Sequence, residues 1–161
     1  MINIDFLKAV YEIALDAGDA IMNVYNHVYR VEEKVDGTPI TIADRIANDI
    51  ICSGLKKLTP ELRLLSEESI HPDSDDRLFW TRYWLIDPLD GTKEFINKNG
   101  EFAVNIGLVI DNISRLGVIE IPVTGVQYFS DGESSFKFEK KNLKKISSLN
   151  KRRKIKIVVS R

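Results

Sequence analysis

The sequence predicts an α+β domain in which two N-terminal helices pack on a twisted, largely antiparallel sheet. Three observations carry this. Apolar residues recur at helical spacing up to residue 58, they give way to short strand-like runs from Arg63 onward, and Asp-Asn and Asp-Gly turn signals divide the second half. The chain has 161 residues, 43% hydrophobic and 29% charged, which is the composition of a globular domain. At that size roughly 70% of the unfolded surface can be buried, so no disulfide is needed.

Ile4, Leu7, Val10, Tyr11, Ala14, Ile21, Val24, Tyr25 and Val28 mark one amphipathic helix over residues 5–28, weakened but not broken by Gly18. Residues 32–38 read as a linker. Thr41 then stands before a second periodic run, Ile42, Ile46, Ile50 and Leu58, and is placed to cap a helix that ends before Pro60. Residues 63–66 and 83–86 are short apolar runs ending in polar residues, as buried strands do at a site. Strands are expected at 102–110, 114–120, 125–130 and 135–139, and the β-branched run 155–159 is placed to open a further βα unit.

The net charge of −1 is unevenly spread: residues 137–161 carry eleven Lys or Arg against the single acid Glu139. The simplest reading is a solvated lysine-rich hairpin. No aromatic residue interleaves Lys151-Arg152-Arg153-Lys154, so specific nucleic-acid binding is not expected, while peripheral contact with an anionic membrane surface is compatible with the charge. No apolar run reaches the roughly 18 residues of a membrane span. The lone Cys52 and an N-terminus without signal-peptide character point to the cytoplasm.

Chemistry concentrates in three acidic groups at predicted element ends: Asp44, the pair Glu67 and Glu68, and Asp87-Pro88-Leu89-Asp90-Gly91-Thr92. In the last, an apolar strand stops at an acid, and Pro88 and Gly91 turn the backbone so that Asp87 and Asp90 can face one point. Carboxylates brought that close repel and are costly to desolvate, so a hard cation is their usual partner, and Mg²⁺ suits them better than zinc in the absence of a His or Cys cluster. An EF-hand is excluded because its acids alternate and end in a glutamate at the twelfth position. A phospho-aspartate mechanism needs two aspartates one residue apart, and here two residues separate them.

Taken together, Thr38-Pro39-Ile40-Thr41-Ile42-Ala43-Asp44, Leu65-Ser66-Glu67-Glu68 and Trp84-Leu85-Ile86-Asp87-Pro88-Leu89-Asp90-Gly91-Thr92 resemble, in order and spacing, the inositol-monophosphatase-like, lithium-sensitive phosphatases. Lys93-Glu94-Phe95-Ile96 and Asn99-Gly100-Glu101-Phe102 are similar to the bacterial bisphosphate nucleotidases of sulfate assimilation within that superfamily. The resemblance implies the N-terminal half of the sugar-phosphatase αβαβα sandwich, two or three Mg²⁺ ions, and in-line attack of water on a phosphate monoester. It places the first ion on Glu67, Asp87 and the carbonyl of Leu89, and the second on Asp87 and Asp90. Thr92 and Asp44 would orient and deprotonate the water, Gly91 and Thr92 would offer N–H groups to the phosphate, and Glu68 would support Glu67. Lys34 is assigned either to the phosphate or to solvent. The implied substrate is adenosine 3',5'-bisphosphate.

The resemblance further implies that residues 1–161 form the metal-binding domain, with the family's second α/β domain only begun at 154–161. Its Trp-Asp motif does not follow Thr92, since Trp80 and Trp84 both precede it. An apolar surface left open on this half is therefore expected to favour self-association. Two other readings stay open: an inositol-phosphate or sugar-phosphate phosphatase, and a non-catalytic anion-binding protein acting through its basic segment.

Overall fold

The structure is a computed structural model that describes residues 4–34, 37, 39–69, 74–140 and 142–147. In chain order the elements are α1 (Ile4–Tyr25), β1 (Val31–Glu33), β2 (Pro39–Thr41), α2 (Ile42–Leu58), β3 (Arg63–Ser66), α3 (Ser74–Arg77), β4 (Arg82–Asp90), α4 (Thr92–Ile96), β5 (Ala103–Ile110), β6 (Ile113–Ile121), β7 (Val126–Ser130), β8 (Ser135–Glu139) and β9 (Asn142–Ile146). Strands β3 to β9 form one seven-stranded sheet in sequence order. Every neighbouring pair in it is antiparallel except β3 and β4, which run parallel.

The two long helices cover one face of this sheet. In α1 the buried residues Leu7, Val10, Ala14, Ala17 and Ile21 alternate steps of three and four, and in α2 Ala43, Ala47, Ile51 and Leu55 recur every four. Each set is a single stripe, and the two meet Trp84, Ile86, Val104, Ile106, Leu108, Leu116 and Val118 of the strands in one core. Trp84 is fully buried, and its indole N–H donates to Thr59 Oγ1 at 2.9 Å, so the polar end of the largest core side chain is satisfied where α2 ends.

Three boundaries differ from the sequence expectation. Helix α1 stops at Tyr25 rather than at residue 28: the Asn26 and His27 amides close its last turn on Met22 and Val24, and Val28 is wholly exposed. Apolar periodicity overran the helix because Val28 has no core to enter. The segment 32–38 is not all linker: residues 32 and 33 belong to β1, which pairs antiparallel with β2 to form a hairpin leading into α2. Strand β4 continues past Ile86 to Asp90, and its register with β5 shifts between Asp87 and Asp90. That irregularity accommodates Pro88, which has no N–H to give a ladder.

The lysine-rich segment forms the β8–β9 hairpin at the sheet edge, where exposed Lys144 and Lys145 discourage further strand pairing. Strand β9 was not anticipated; its residues alternate too little in polarity to signal a strand. The run at 155–159 and the basic cluster 151–154 lie outside the described residues. No described helix is long and apolar enough to cross a membrane. The sheet face opposite the helices is open: Leu85 and Ile119 are 49% and 43% exposed, and Gly107 and Gly117, paired in register between them, leave a shallow hollow.

One buried carboxyl among the described residues lies away from the site. Glu120 on β6 lies beneath Gly18 of α1, where a Cβ would stand 3.0 Å from Glu120 Cγ, so a larger residue there would push the glutamate side chain aside by a few tenths of an ångström. Glu120 is 2% exposed and faces its register partner Gln127, itself 1% exposed. Burial pushes its carboxyl up to about 7; Gln127 opposes the shift and the charge of Asp19 adds to it.

A carboxyl whose folded pKa is raised carries no penalty below its ordinary 4.5 and the full penalty above about 7, so folding stability falls as pH rises through that window. Chemical denaturation of wild type and Glu120→Gln at pH 5 and pH 8 is expected to show a loss on the order of 3 kcal/mol that the variant largely lacks. Equal pH dependence in the two proteins would contradict the assignment.

Candidate active site

The site gathers at one end of the sheet, where three elements deliver acidic groups from different directions. At the start of α2, Thr41 caps the helix by accepting the Ala43 amide, and Asp44 completes a capping box by accepting the Thr41 amide at 2.7 Å. The Thr41 hydroxyl also donates to Asp44 Oδ2, at 2.6 Å. Asp44 is 1% exposed, and its other oxygen, Oδ1, accepts the Thr92 hydroxyl at 2.9 Å. A residue that initiates the helix is thereby held rigidly against the start of α4, 48 positions later.

At the end of β3, the Glu67 amide donates to the Ile86 carbonyl at 3.1 Å, which ties this strand end to β4. Ser66 is fully buried, and its hydroxyl donates to Asn48 Oδ1 of α2 at 2.6 Å. Glu68 turns inward, with its side chain 7% exposed, and Glu67 outward, at 58%. Lys34, just after β1, reaches both: its Nζ lies 2.6 Å from Glu68 Oε1 and 3.3 Å from Glu67 Oε1. Burial would lower the Lys34 pKa, but the hydrogen bonds and charges of Glu68 and then Glu67 raise it, keeping the ammonium charged. Burial raises the Glu68 carboxyl, and the Lys34 contact only partly offsets this.

The third group comes from β4 and the turn after it. Asp87 is half-buried, and its carboxyl is pushed up to about 7 by burial, then by the charges of Glu67 and Asp90, against the stabilising Leu89 amide. Asp90 accepts from Asn105 Nδ2 of β5 at 3.1 Å. Gly91 has φ 96°, and a Cβ there would stand 2.9 Å from the Glu101 carbonyl, so the turn is reserved for glycine. The Leu89 carbonyl lies 3.3 Å from the Thr92 hydroxyl. Helix α4 is anchored by Phe95, which is fully buried and packs with Tyr25, Tyr29 and Phe102.

Asp44, Thr92 and Leu89 thus form one hydrogen-bonded unit, while Glu67, Asp87 and Asp90 are neighbours through their charges. Among the described residues, no three His, Cys, Asp or Glu side chains form a ready-made metal cage. The acids nevertheless suit a hard divalent ion, which completes its shell with carbonyl, water and phosphate oxygens, and which would relieve the unfavourable charge at Asp87. Two site contacts had no place in the sequence reading. Asn105, which interrupts the apolar alternation of β5, holds Asp90, and Asn48 holds Ser66 from a helix face that carries no distinguishing pattern.

The architecture of helices packed on a mostly antiparallel sheet is shared with known proteins. Residues 3–160 match the model of the inositol monophosphatase family, and the chain belongs to that family. It is 47% identical over 135 residues to the 3'(2'),5'-bisphosphate nucleotidase CysQ of Salmonella typhimurium, covering 83% of this chain and 54% of that protein. The Shigella flexneri protein of the same name is 42% identical over 157 residues, covering 96% of this chain and 63% of its own length. The chain therefore spans little more than half the length of these relatives. Among solved structures, CysQ from Bacteroides thetaiotaomicron superposes with a TM-score of 0.70 at 40% identity, covering 83% of this chain and 48% of that one.

Burial of Asp87, reinforced by the charges of Glu67 and Asp90, predicts a pH-dependent penalty in the protein without added metal. A folded pKa raised to about 7 means that the penalty grows as pH rises toward and through that value. Under chelating conditions, Asp87→Asn is expected to melt a few degrees above wild type at pH 8 and close to it at pH 5. A lower melting temperature for the variant at pH 8 would show that Asp87 is not under repulsion.

Proposed function

We propose that this chain is the metal- and phosphate-binding part of a Mg²⁺-dependent 3'(2'),5'-bisphosphate nucleotidase, removing the 3'-phosphate of adenosine 3',5'-bisphosphate to give AMP. The observation that carries the reaction class is the Thr41–Asp44–Thr92 chain of hydrogen bonds set beside the crowded carboxylates Glu67, Asp87 and Asp90. The choice of nucleotide rests on the relatives at 42–47% identity.

In this reading Glu67, Asp87 and the Leu89 carbonyl would hold one ion, and Asp87 and Asp90 a second. The ions supply neutralisation of the phosphate oxygens and of the alkoxide that leaves. Asp44 takes three hydrogen bonds, two from Thr41 and one from Thr92, which fix its orientation. Because the Thr92 hydroxyl donates to Asp44, its oxygen is free to accept a hydrogen bond from the attacking water. The proton lost by that water passes by way of Thr92 toward Asp44 as the new P–O bond forms. Gly91 and Thr92 sit where α4 begins and its first N–H groups lack helical partners, so they are suited to bind phosphate oxygens. Glu67, Leu89 and Asp90 would border the same phosphate.

The open sheet face around Leu85 and Ile119 supports protein contact on that side, with a second copy of this chain as the simplest partner. The unpaired, partly buried Cys52 suits a cytoplasmic setting.

Phosphate release from adenosine 3',5'-bisphosphate with Mg²⁺, measured for the chain and for Asp90→Asn and Thr92→Val, tests the assignment. Both variants are expected to lose about 10²–10⁴-fold in rate, with Mg²⁺ binding retained in Thr92→Val. Faster hydrolysis of inositol 1-phosphate than of the nucleotide would overturn the substrate, and undiminished turnover in Thr92→Val would overturn the proton route.

A further inference from the structure

Lys34 is tied to two acids of unlike character. Glu68 is nearly buried and meets the ammonium at 2.6 Å, a short charge-assisted contact, whereas Glu67 is mostly exposed and meets it at 3.3 Å, a long one. The lysine side chain is itself only 23% exposed, so it is held in place rather than sampling solvent. Its carrier is the end of β1, in the hairpin that pairs Val31 with Thr41 and thus shares a backbone with the Asp44 cap. The firm contact anchors the lysine to Glu68. The loose contact draws Glu67 toward Lys34, although Glu67 also faces Asp87 closely enough to repel it.

We propose that Lys34 is a resident counter-cation that competes with the divalent ion for Glu67 while staying anchored on Glu68. Its positive charge screens the glutamate pair and makes the carboxylate end of the sheet tolerable to fold. An incoming ion must take Glu67 from it, so the same lysine that stabilises the protein without metal weakens the metal's hold. Lys34 is in this sense a positioning residue, acting on the ion through Glu67. The inference rests on the proposed metal-binding role of Glu67 and Asp87, and adds to it an opposition between folding stability and metal affinity.

The test compares wild type, Lys34→Met, Lys34→Gln and Lys34→Arg by thermal melting in chelator and by calorimetric titration with Mg²⁺. Lys34→Met is expected to melt several degrees lower without metal, to bind Mg²⁺ several-fold more tightly, and to regain the wild-type melting temperature when saturated. Lys34→Arg, which keeps the charge, is expected to resemble wild type in both measurements. Lys34→Gln keeps a polar reach to Glu68 and folds more readily than the Met variant, so it reports the affinity change even where Lys34→Met does not fold. A merely structural lysine would lower stability and leave affinity unchanged or reduced in Lys34→Gln, and that result overturns the proposal. Absence of Mg²⁺ binding by wild type would instead overturn the metal-site reading on which it rests.

Discussion

Negative charge concentrated at the end of β4 is the constraint on which the rest of the site depends. Asp87 is half-buried, and burial together with Glu67 and Asp90 pushes its carboxyl up to about 7, an arrangement that works against folding at neutral pH. A fold retains such a cluster only if its frame is held firmly, and the frame here is covalent and hydrogen-bonded. β4 pairs with β3 on one side and β5 on the other, the Glu67 amide closes onto Ile86, and Asn105 takes hold of Asp90. The register shift after Asp87 places the two aspartates where regular alternation would not.

Beneath that frame the core does the orienting. Trp84 and Ile86 carry the strand into the helix layer immediately before Asp87, and the stripes of α1 and α2 close over them. On the far side of the turn, Phe95 locks α4 among Tyr25, Tyr29 and Phe102, which keeps Thr92 against Asp44. Asp44 belongs to two structures at once, as third residue of a helix-capping box and as acceptor for Thr92. Losing its carboxylate therefore affects both the helix start and the contact that fixes Thr92.

Much of this was legible in the sequence because the physics that writes it is local. The cap at Thr41, the strand at residues 63–66 and the hairpin strand at residues 135–139 follow from capping chemistry, alternation and turn residues, and the structure has them at those positions. The acids at 44, 67, 87 and 90 are legible because each group sits at the end of a predicted element and together they match one spacing pattern. What stayed hidden depends on contacts between distant parts of the chain. The parallel pairing of β3 with β4, the β1–β2 hairpin that delivers Lys34, and the Asn105 contact to Asp90 have no signature within their own segments. Val28 misled in the opposite sense, since a periodic apolar residue implies burial only where a surface exists to receive it.

Whether the acids at the ends of β3 and β4 hold a divalent ion, with Asp87 burdened in advance by burial and by the charges of Glu67 and Asp90, is tested most directly by calorimetric titration of Mg²⁺ at pH 7. Running it in two buffers of different ionisation enthalpy also counts the protons released. Saturable binding is expected, accompanied by release of a fraction of a proton, since the Asp87 carboxyl is raised to about 7 and must ionise to bind, with both the affinity and the proton release reduced in Asp87→Asn. Binding of equal strength in Asp87→Asn, or none in wild type, would contradict that expectation.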